Sequence, residues 1–140
     1  WTLFNRLAAV PYPTLALIRG HCMGGGLELA LACRHRIVVD EPGTRLALPE
    51  VMLGIVPGWG GMLRLPALIG PAAALDLMLT GKTVDAHKAR AVGLRIGIGQ
   101  RFLRARQRQV LTVIAAQAVI TGAFSMARAA VSRSTRTSAL

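Results

Sequence analysis

Acidic residues run out at Asp85. The chain has 140 residues, with 17 Lys or Arg against six Asp or Glu. Residues 1–85 carry seven basic and six acidic residues, a net +1; residues 86–140 carry ten basic residues and no acid, a net +10. A folded enzyme surface mixes both signs, so the two stretches answer to different constraints. Aromatic residues are scarce as well, six in all. That excludes a stacking platform for single-stranded nucleic acid, which needs repeated aromatic faces. Two cysteines, Cys22 and Cys33, make no disulfide framework and lack metal-ligand spacing; they are expected as buried thiols in a reducing, cytoplasmic setting. No basic-then-apolar leader precedes the first expected strand. One long run, Gln109–Ala127, lacks charge. Its Gln109, Thr112, Gln117, Thr121, Gly122 and Ser125 argue against a membrane span and for a packed or poorly ordered helix.

What is abundant is apolar material, 53% of the chain, enough for the core of one domain of ordinary size. Thr14–Arg19 is a short apolar run after two prolines, closed by Gly20, and reads as a buried strand. Gly24–Gly26 open a helical stretch through about Cys33. Arg36–Asp40 is a second strand, and the Glu41-Pro42-Gly43 turn leads into a third, Thr44–Leu48. Pro49 ends its ladder and Glu50 follows. A glycine-rich loop, residues 54–61, precedes helices expected near 60–69 and 71–80, the second with Pro71 at its first position and Gly81 as its stop. Thr83 is expected to cap a further helix with Asp85 in its first turn and Gly93 at its end. Beyond Gly93 lies a basic stretch, residues 95–140, expected as a helical or poorly ordered tail. Its charge could attract nucleic acid or an anionic membrane surface, but it holds no recognition motif, so no specific nucleic-acid partner is expected.

Two carboxylates fall at element boundaries in this layout. Glu28 lies in the first turn of a helix and Glu50 just after a strand. Alone, Glu28 would be an ordinary helix-dipole carboxylate and Glu50 an ordinary solvated one. Between strand and helix, Gly24, Gly25 and Gly26 let a ligand approach the backbone closely, and amides at a helix start are unpaired and can receive developing negative charge. The three glycines lack both the Lys-Ser/Thr ending of a phosphate loop and dinucleotide spacing. An oxyanion donor with two carboxyl groups is what adding water to a conjugated thioester requires. A competing pattern is Gly20-His-Cys-Met-Gly24, a nucleophile elbow with Cys22 in the serine position. Such a hydrolase would draw on Asp76 or Asp85 and on His87, a residue more simply read as a solvated helix histidine.

The segment Ile18-Arg-Gly-His-Cys-Met-Gly-Gly-Gly-Leu-Glu-Leu-Ala30 resembles the glycine-rich segment of the enoyl-CoA hydratase/isomerase (crotonase) family. Leu48-Pro-Glu-Val-Met-Leu-Gly-Ile-Val-Pro-Gly-Trp-Gly-Gly61 resembles that family's second catalytic segment, and residues 79–86 and 89–94 its following helices. Leu48-Pro-Glu50 and Ile69-Gly-Pro-Ala72 are most similar to the hydratase part of multifunctional fatty-acid oxidation enzymes. The resemblance spans about residues 7–94. It implies an α/β, crotonase-like fold of stacked ββα units followed by helices, N-terminally incomplete, with residues 1–94 as a partial hydratase core. It also implies that residues 95–140 depart from the family, as a shifted reading frame or truncated gene would produce.

For function, the resemblance implies syn hydration of trans-2-enoyl-CoA in fatty-acid β-oxidation, with double-bond isomerisation as a side activity. Glu28 and Glu50 would be the catalytic pair. Gly25 would be an oxyanion donor beside Gly24, with Gly58 and Trp59 shaping the acyl pocket. A second oxyanion amide and much of the CoA surface would precede residue 1, which would impair turnover. No metal or cofactor is implied: CoA is part of the substrate, and NAD would serve only a dehydrogenase part outside this chain. A homo-oligomer or a thiolase partner is implied for the longer protein. The rival reading is a non-catalytic remnant with a non-specific basic tail.

Overall fold

A computed structural model of the chain describes residues 2–94 and the strand 111–115. Helix α1, Thr2–Ala9, has no buried residue and was not anticipated from sequence. Strand β1, Thr14–Ile18, runs into a second strand, β2, His21–Met23. Gly20 sits between them at φ 74, a left-handed conformation that costs glycine nothing. Its N–H donates to Thr44 Oγ1 at 3.2 Å, which fixes the corner where the chain leaves one sheet for another. Helix α2, Gly25–Ala32, follows, then β3, His35–Val38, and β4, Arg45–Ala47.

Two parallel sheets result. The first has the order β3-β1-β5, where β5 is Leu111–Ala115; the second pairs β2 with β4. Helix α2 has apolar residues nearly all round, burying Gly26, Leu27, Ala30, Leu31 and Ala32, as a helix enclosed by other elements must. Its residues join Ile18, Cys22, Val38, Leu46, Leu48, Leu65 and Leu77 in one core. This is the stacked ββα arrangement expected, with helices after it: α3, Gly61–Ile69; α4, Pro71–Thr80; and α5, Ala86–Ala91. Pro71 begins α4 and Gly81 ends it at φ 62, its N–H donating to Leu77 O.

Three expectations are corrected. Asp85, not Thr83, caps α5: its Oδ1 accepts the Lys88 N–H at 2.7 Å. The cause is Val84, which exchanges two backbone hydrogen bonds with Leu46 and so keeps the chain extended and moves the cap two residues on. Glu50 does not simply trail a strand; it lies in a 3₁₀ turn, Pro49–Leu53, closed by Gly54 at φ 67. Residues 111–115, expected as helix or unstructured tail, form a strand pairing parallel with β1 along its length. The rest of the expected tail, residues 95–110 and 116–140, lies outside the described residues.

Arg36 is the tie between the core and its helical end. It is 3% exposed and meets no carboxylate among the described residues; its guanidinium donates to Cys33 O at 2.7 Å, Leu94 O at 2.9 Å and Ala30 O at 3.2 Å. Two of these carbonyls close the C-terminal end of α2, where the helix dipole favours a cation. Burial still pulls the guanidinium below its ordinary pKa, partly opposed by Cys33. No helix of the described residues is long and apolar enough to cross a membrane.

Candidate active site

Glu28 is 2% exposed, a depth at which a carboxylate must be hydrogen-bonded. Its Oε1 accepts the main-chain N–H of Trp59 at 2.7 Å and of Gly61 at 2.9 Å. Gly61 is the first residue of α3, and the cap position before it, Gly60, offers no side chain. Glu28 therefore caps α3 from another helix, placing its carboxylate at the positive end of that helix. The approach needs glycine: a Cβ at Gly61 would lie 3.1 Å from Glu28 Cγ and Oε1 and 3.0 Å from Pro57 Cβ.

Glu50 stands across the glycine bend, 7% exposed. Its Oε2 is buried and, among the described residues, has no hydrogen-bond partner. Burial pushes its carboxyl above the ordinary glutamate range; its own backbone N–H works against this, and the nearby Glu28 adds to it. Between Glu28 and Glu50 the chain turns at Gly24, whose φ of 53 and ψ of −126 few side chains tolerate. Gly24 N–H is fixed on Ala47 O at 2.9 Å, and a Cβ there would meet Glu50 Oε1 at 2.9 Å. Gly25 begins α2, so its N–H has no intrahelical acceptor.

Trp59 contributes more than the sequence suggests. Its N–H holds Glu28, and its indole lies over Gly25: a Cβ on Gly25 would stand 2.4 Å from Cζ3 and 2.8 Å from Cε3. Phe4 of α1 meets the same ring edge-on, with centroids 5.6 Å apart and planes at 80°. Of the residues named from sequence, Glu28, Glu50, Gly24, Gly25 and Trp59 converge. Gly58 does not; it is exposed, and a Cβ there would meet only Val56 O, at 3.8 Å. Sequence reasoning missed the amide of Gly61. The Gly60-Gly61 pair opening a helix was the available signal, since such a start collects anions; here the anion is the protein's own carboxylate.

The elbow arrangement for Cys22 is not built. Cys22 lies within β2 rather than on the turn after it, is 1% exposed, and burial pushes its thiol up to about 12. A nucleophilic cysteine needs the opposite shift. The acids and base assigned to it are engaged elsewhere: His87 pairs with Asp40 at 3.0 Å, Asp76 with Lys82, and Asp85 caps α5.

The likenesses to known proteins agree with this geometry. The family model described as enoyl-CoA hydratase/isomerase matches residues 1–139. The fatty acid oxidation complex subunit alpha of Vibrio cholerae is 56% identical over 92 residues, covering 66% of this chain and 13% of that protein. Its counterpart from a Shewanella species is 52% identical over the same length. Among solved structures, an enoyl-CoA hydratase of Geobacillus kaustophilus superposes with a TM-score of 0.68 at 39% identity, over 73% of this chain and 38% of that one. The enoyl-CoA hydratase of Thermoplasma volcanium gives a TM-score of 0.68 at 35% identity, over 74% and 41%. The chain thus spans about an eighth of the curated relatives and under half of each of these two structures. With buried glutamates flanking a glycine bend on a ββα core, this chain belongs to the enoyl-CoA hydratase/isomerase family.

Proposed function

We propose that the site hydrates trans-2-enoyl-CoA thioesters, with Glu28 and Glu50 as the acid/base pair. The observation that carries this reading is the asymmetry of the two carboxyl groups. Glu28 is tied by two amides on one oxygen, whereas Glu50 has a raised pKa and a buried Oε2 with no partner among the described residues. Two carboxyls whose environments push them apart are suited to opposite roles. Glu28 accepts a proton from a bound water as its oxygen bonds to the β-carbon. The thioester carbonyl gathers the displaced charge, and the N–H of Gly25 stabilises it. The carboxyl of Glu50 gives its proton to the α-carbon. Proton exchange between the two glutamates then restores the starting state, and water has been added to the same face of the double bond.

No electrons are exchanged with the protein, so the step calls for no redox carrier, and CoA enters as part of the substrate. Proton return at the α-carbon is also the central event of double-bond migration, which makes isomerisation a natural side activity of Glu50. The relatives are named as subunits of a fatty acid oxidation complex. We place the reaction accordingly in fatty-acid β-oxidation, in the cytoplasm, with a thiolase-type partner or further copies of the chain completing the assembly.

Hydration of crotonyl-CoA, followed by loss of enoyl absorbance, tests the proposal. Turnover should fall by about 10²–10⁴-fold in Glu50→Gln, the usual worth of a positioned proton donor. Absence of turnover in the unmodified chain at high protein concentration, or full turnover in Glu50→Gln, rejects it and leaves the family fold without this activity.

A further inference from the structure

We infer that Arg64 is a positioning residue for the Glu28 carboxylate, acting through the turn Trp59-Gly60-Gly61. The inference rests on the hydratase reading for its kinetic consequences, but its geometry is independent. The turn sends two amides to one place: Trp59 N–H and Gly61 N–H both donate to Glu28 Oε1. Two of its carbonyls are taken by Arg64, one by the side chain and one by the main chain. The guanidinium Nη1 donates to Trp59 O at 2.9 Å, and the Arg64 main-chain N–H donates to Gly60 O at 2.9 Å, with Leu63 N–H sharing that carbonyl at 3.1 Å. The other guanidinium nitrogen, Nη2, donates to Asn5 Oδ1 on α1.

Glu28 therefore reads one face of the turn and Arg64 the other. Gly60, at φ 108 and ψ 2, has no side chain to hold this conformation, and glycine leaves the backbone free to take others. A planar guanidinium can bond the Trp59 carbonyl and Asn5 Oδ1 at once, tying the turn to α1 as a single ammonium would do less well. The chain of bonds is also polar throughout. The peptide whose N–H reaches Glu28 from Gly61 has its own carbonyl bonded to the Arg64 main-chain N–H, so these two bonds polarise one another; the side chain acts on the neighbouring Trp59 carbonyl. Freeing the Trp59 carbonyl would let the turn rotate, and the two amides would no longer converge on one oxygen. Glu28 would remain buried but lose its fixed direction toward the bound water.

The test uses the full chain and four variants: Arg64→Ala, Arg64→Lys, Glu28→Gln and the double Arg64→Ala/Glu28→Gln, each first matched to the unmodified chain by circular dichroism and melting. In Arg64→Ala, kcat on crotonyl-CoA should drop by about 10–100-fold while KM stays within about twofold, as misplacement of a catalytic group predicts. Arg64→Lys should recover part of the loss. In the Glu28→Gln background, removing Arg64 should cost nothing further, because the two act as one unit. The proton resonances of the Trp59 and Gly61 amides should move toward solvent-like shifts in Arg64→Ala. Unchanged kcat in Arg64→Ala, or equal Arg64 losses with and without Glu28, overturns the inference. Should the unmodified chain lack turnover, the hydratase reading fails by itself. The amide shifts then decide the role of Arg64: movement in Arg64→Ala supports it and stationary resonances reject it. If Arg64→Ala does not fold, Arg64→Lys carries the same comparisons.

Discussion

Gly25→Ala is a severe test of this site because it adds one methyl group and removes no hydrogen bond. The alanine keeps the backbone N–H, so any lost turnover reports crowding and not a missing donor. The new Cβ would stand 2.4 Å and 2.8 Å from two carbons of the Trp59 ring. Ordinary carbon–carbon contact is about 3.5–4.0 Å, so the ring must retreat by roughly 1 Å. Phe4, packed T-shaped against the indole, opposes that retreat, and any backbone shift that relieves it disturbs the main-chain N–H bonded to Glu28. Overpacking of this kind costs about 1–3 kcal/mol. Replacing glycine by alanine in a helix returns up to about 1 kcal/mol. The net is a destabilisation of up to about 2 kcal/mol, visible as a melting temperature several degrees lower.

Activity should suffer more than stability, because the displaced residue carries one of the two amides that aim Glu28. A shift of that size costs about 10²-fold in kcat. Thermal melts and crotonyl-CoA hydration are measured on Gly25→Ala, Trp59→Ala and the double variant. Trp59→Ala removes the obstacle, so the double variant should be more stable and more active than the two single losses combined would allow. Gly25→Ala with unaltered melting and turnover would refute the packing of the indole on Gly25, as would strict additivity in the double variant.

Glu50 sets a pH dependence of stability. Below about pH 4, the carboxyl is protonated folded and unfolded alike. As pH rises past the raised native value, the fold must hold a buried anion near Glu28, and stability is lost. Glu50→Gln should lose turnover yet gain stability relative to the unmodified chain on the alkaline side, measured by melting across pH; parallel curves for the two proteins refute this. Arg36→Met should cost about 2 kcal/mol or more in urea unfolding, because the Leu94 and Cys33 carbonyls lose the guanidinium as donor while Ala30 O keeps only the Cys33 N–H. An unchanged midpoint would contradict that account. Cys22, with its thiol pushed up to about 12, should resist a disulfide reagent in the native protein, leaving activity intact. Rapid modification of Cys22 with loss of activity would revive the hydrolase.

Local signals carried much of the layout. The apolar run at Thr14–Ile18 and the proline and glycine bracketing α4 are written in neighbouring residues, and the structure follows them. Signals failed where distant partners decide. Thr83 has the chemistry of a cap, yet Val84 is pinned to Leu46, so the helix waits for Asp85. Leu111–Ala115 lies in a charge-free run that periodicity could not assign, and pairing with β1 makes it a strand. His21–Met23 is too short to read as a strand without its partner Arg45–Ala47.

The candidate site divides the same way. Composition and order determined which groups exist: two glutamates, a glycine bend between strand and helix, and a second glycine pair opening α3. Tertiary structure alone decided that Glu28 would cap a helix 33 residues away, that Trp59 would cover Gly25, and that Glu50 would keep a buried oxygen without a partner among the described residues. The reason is the range of the forces involved. Dihedral preference and apolar periodicity act over a few residues and are legible in sequence, whereas desolvation and hydrogen-bond convergence arise only when separate elements close around the same atom.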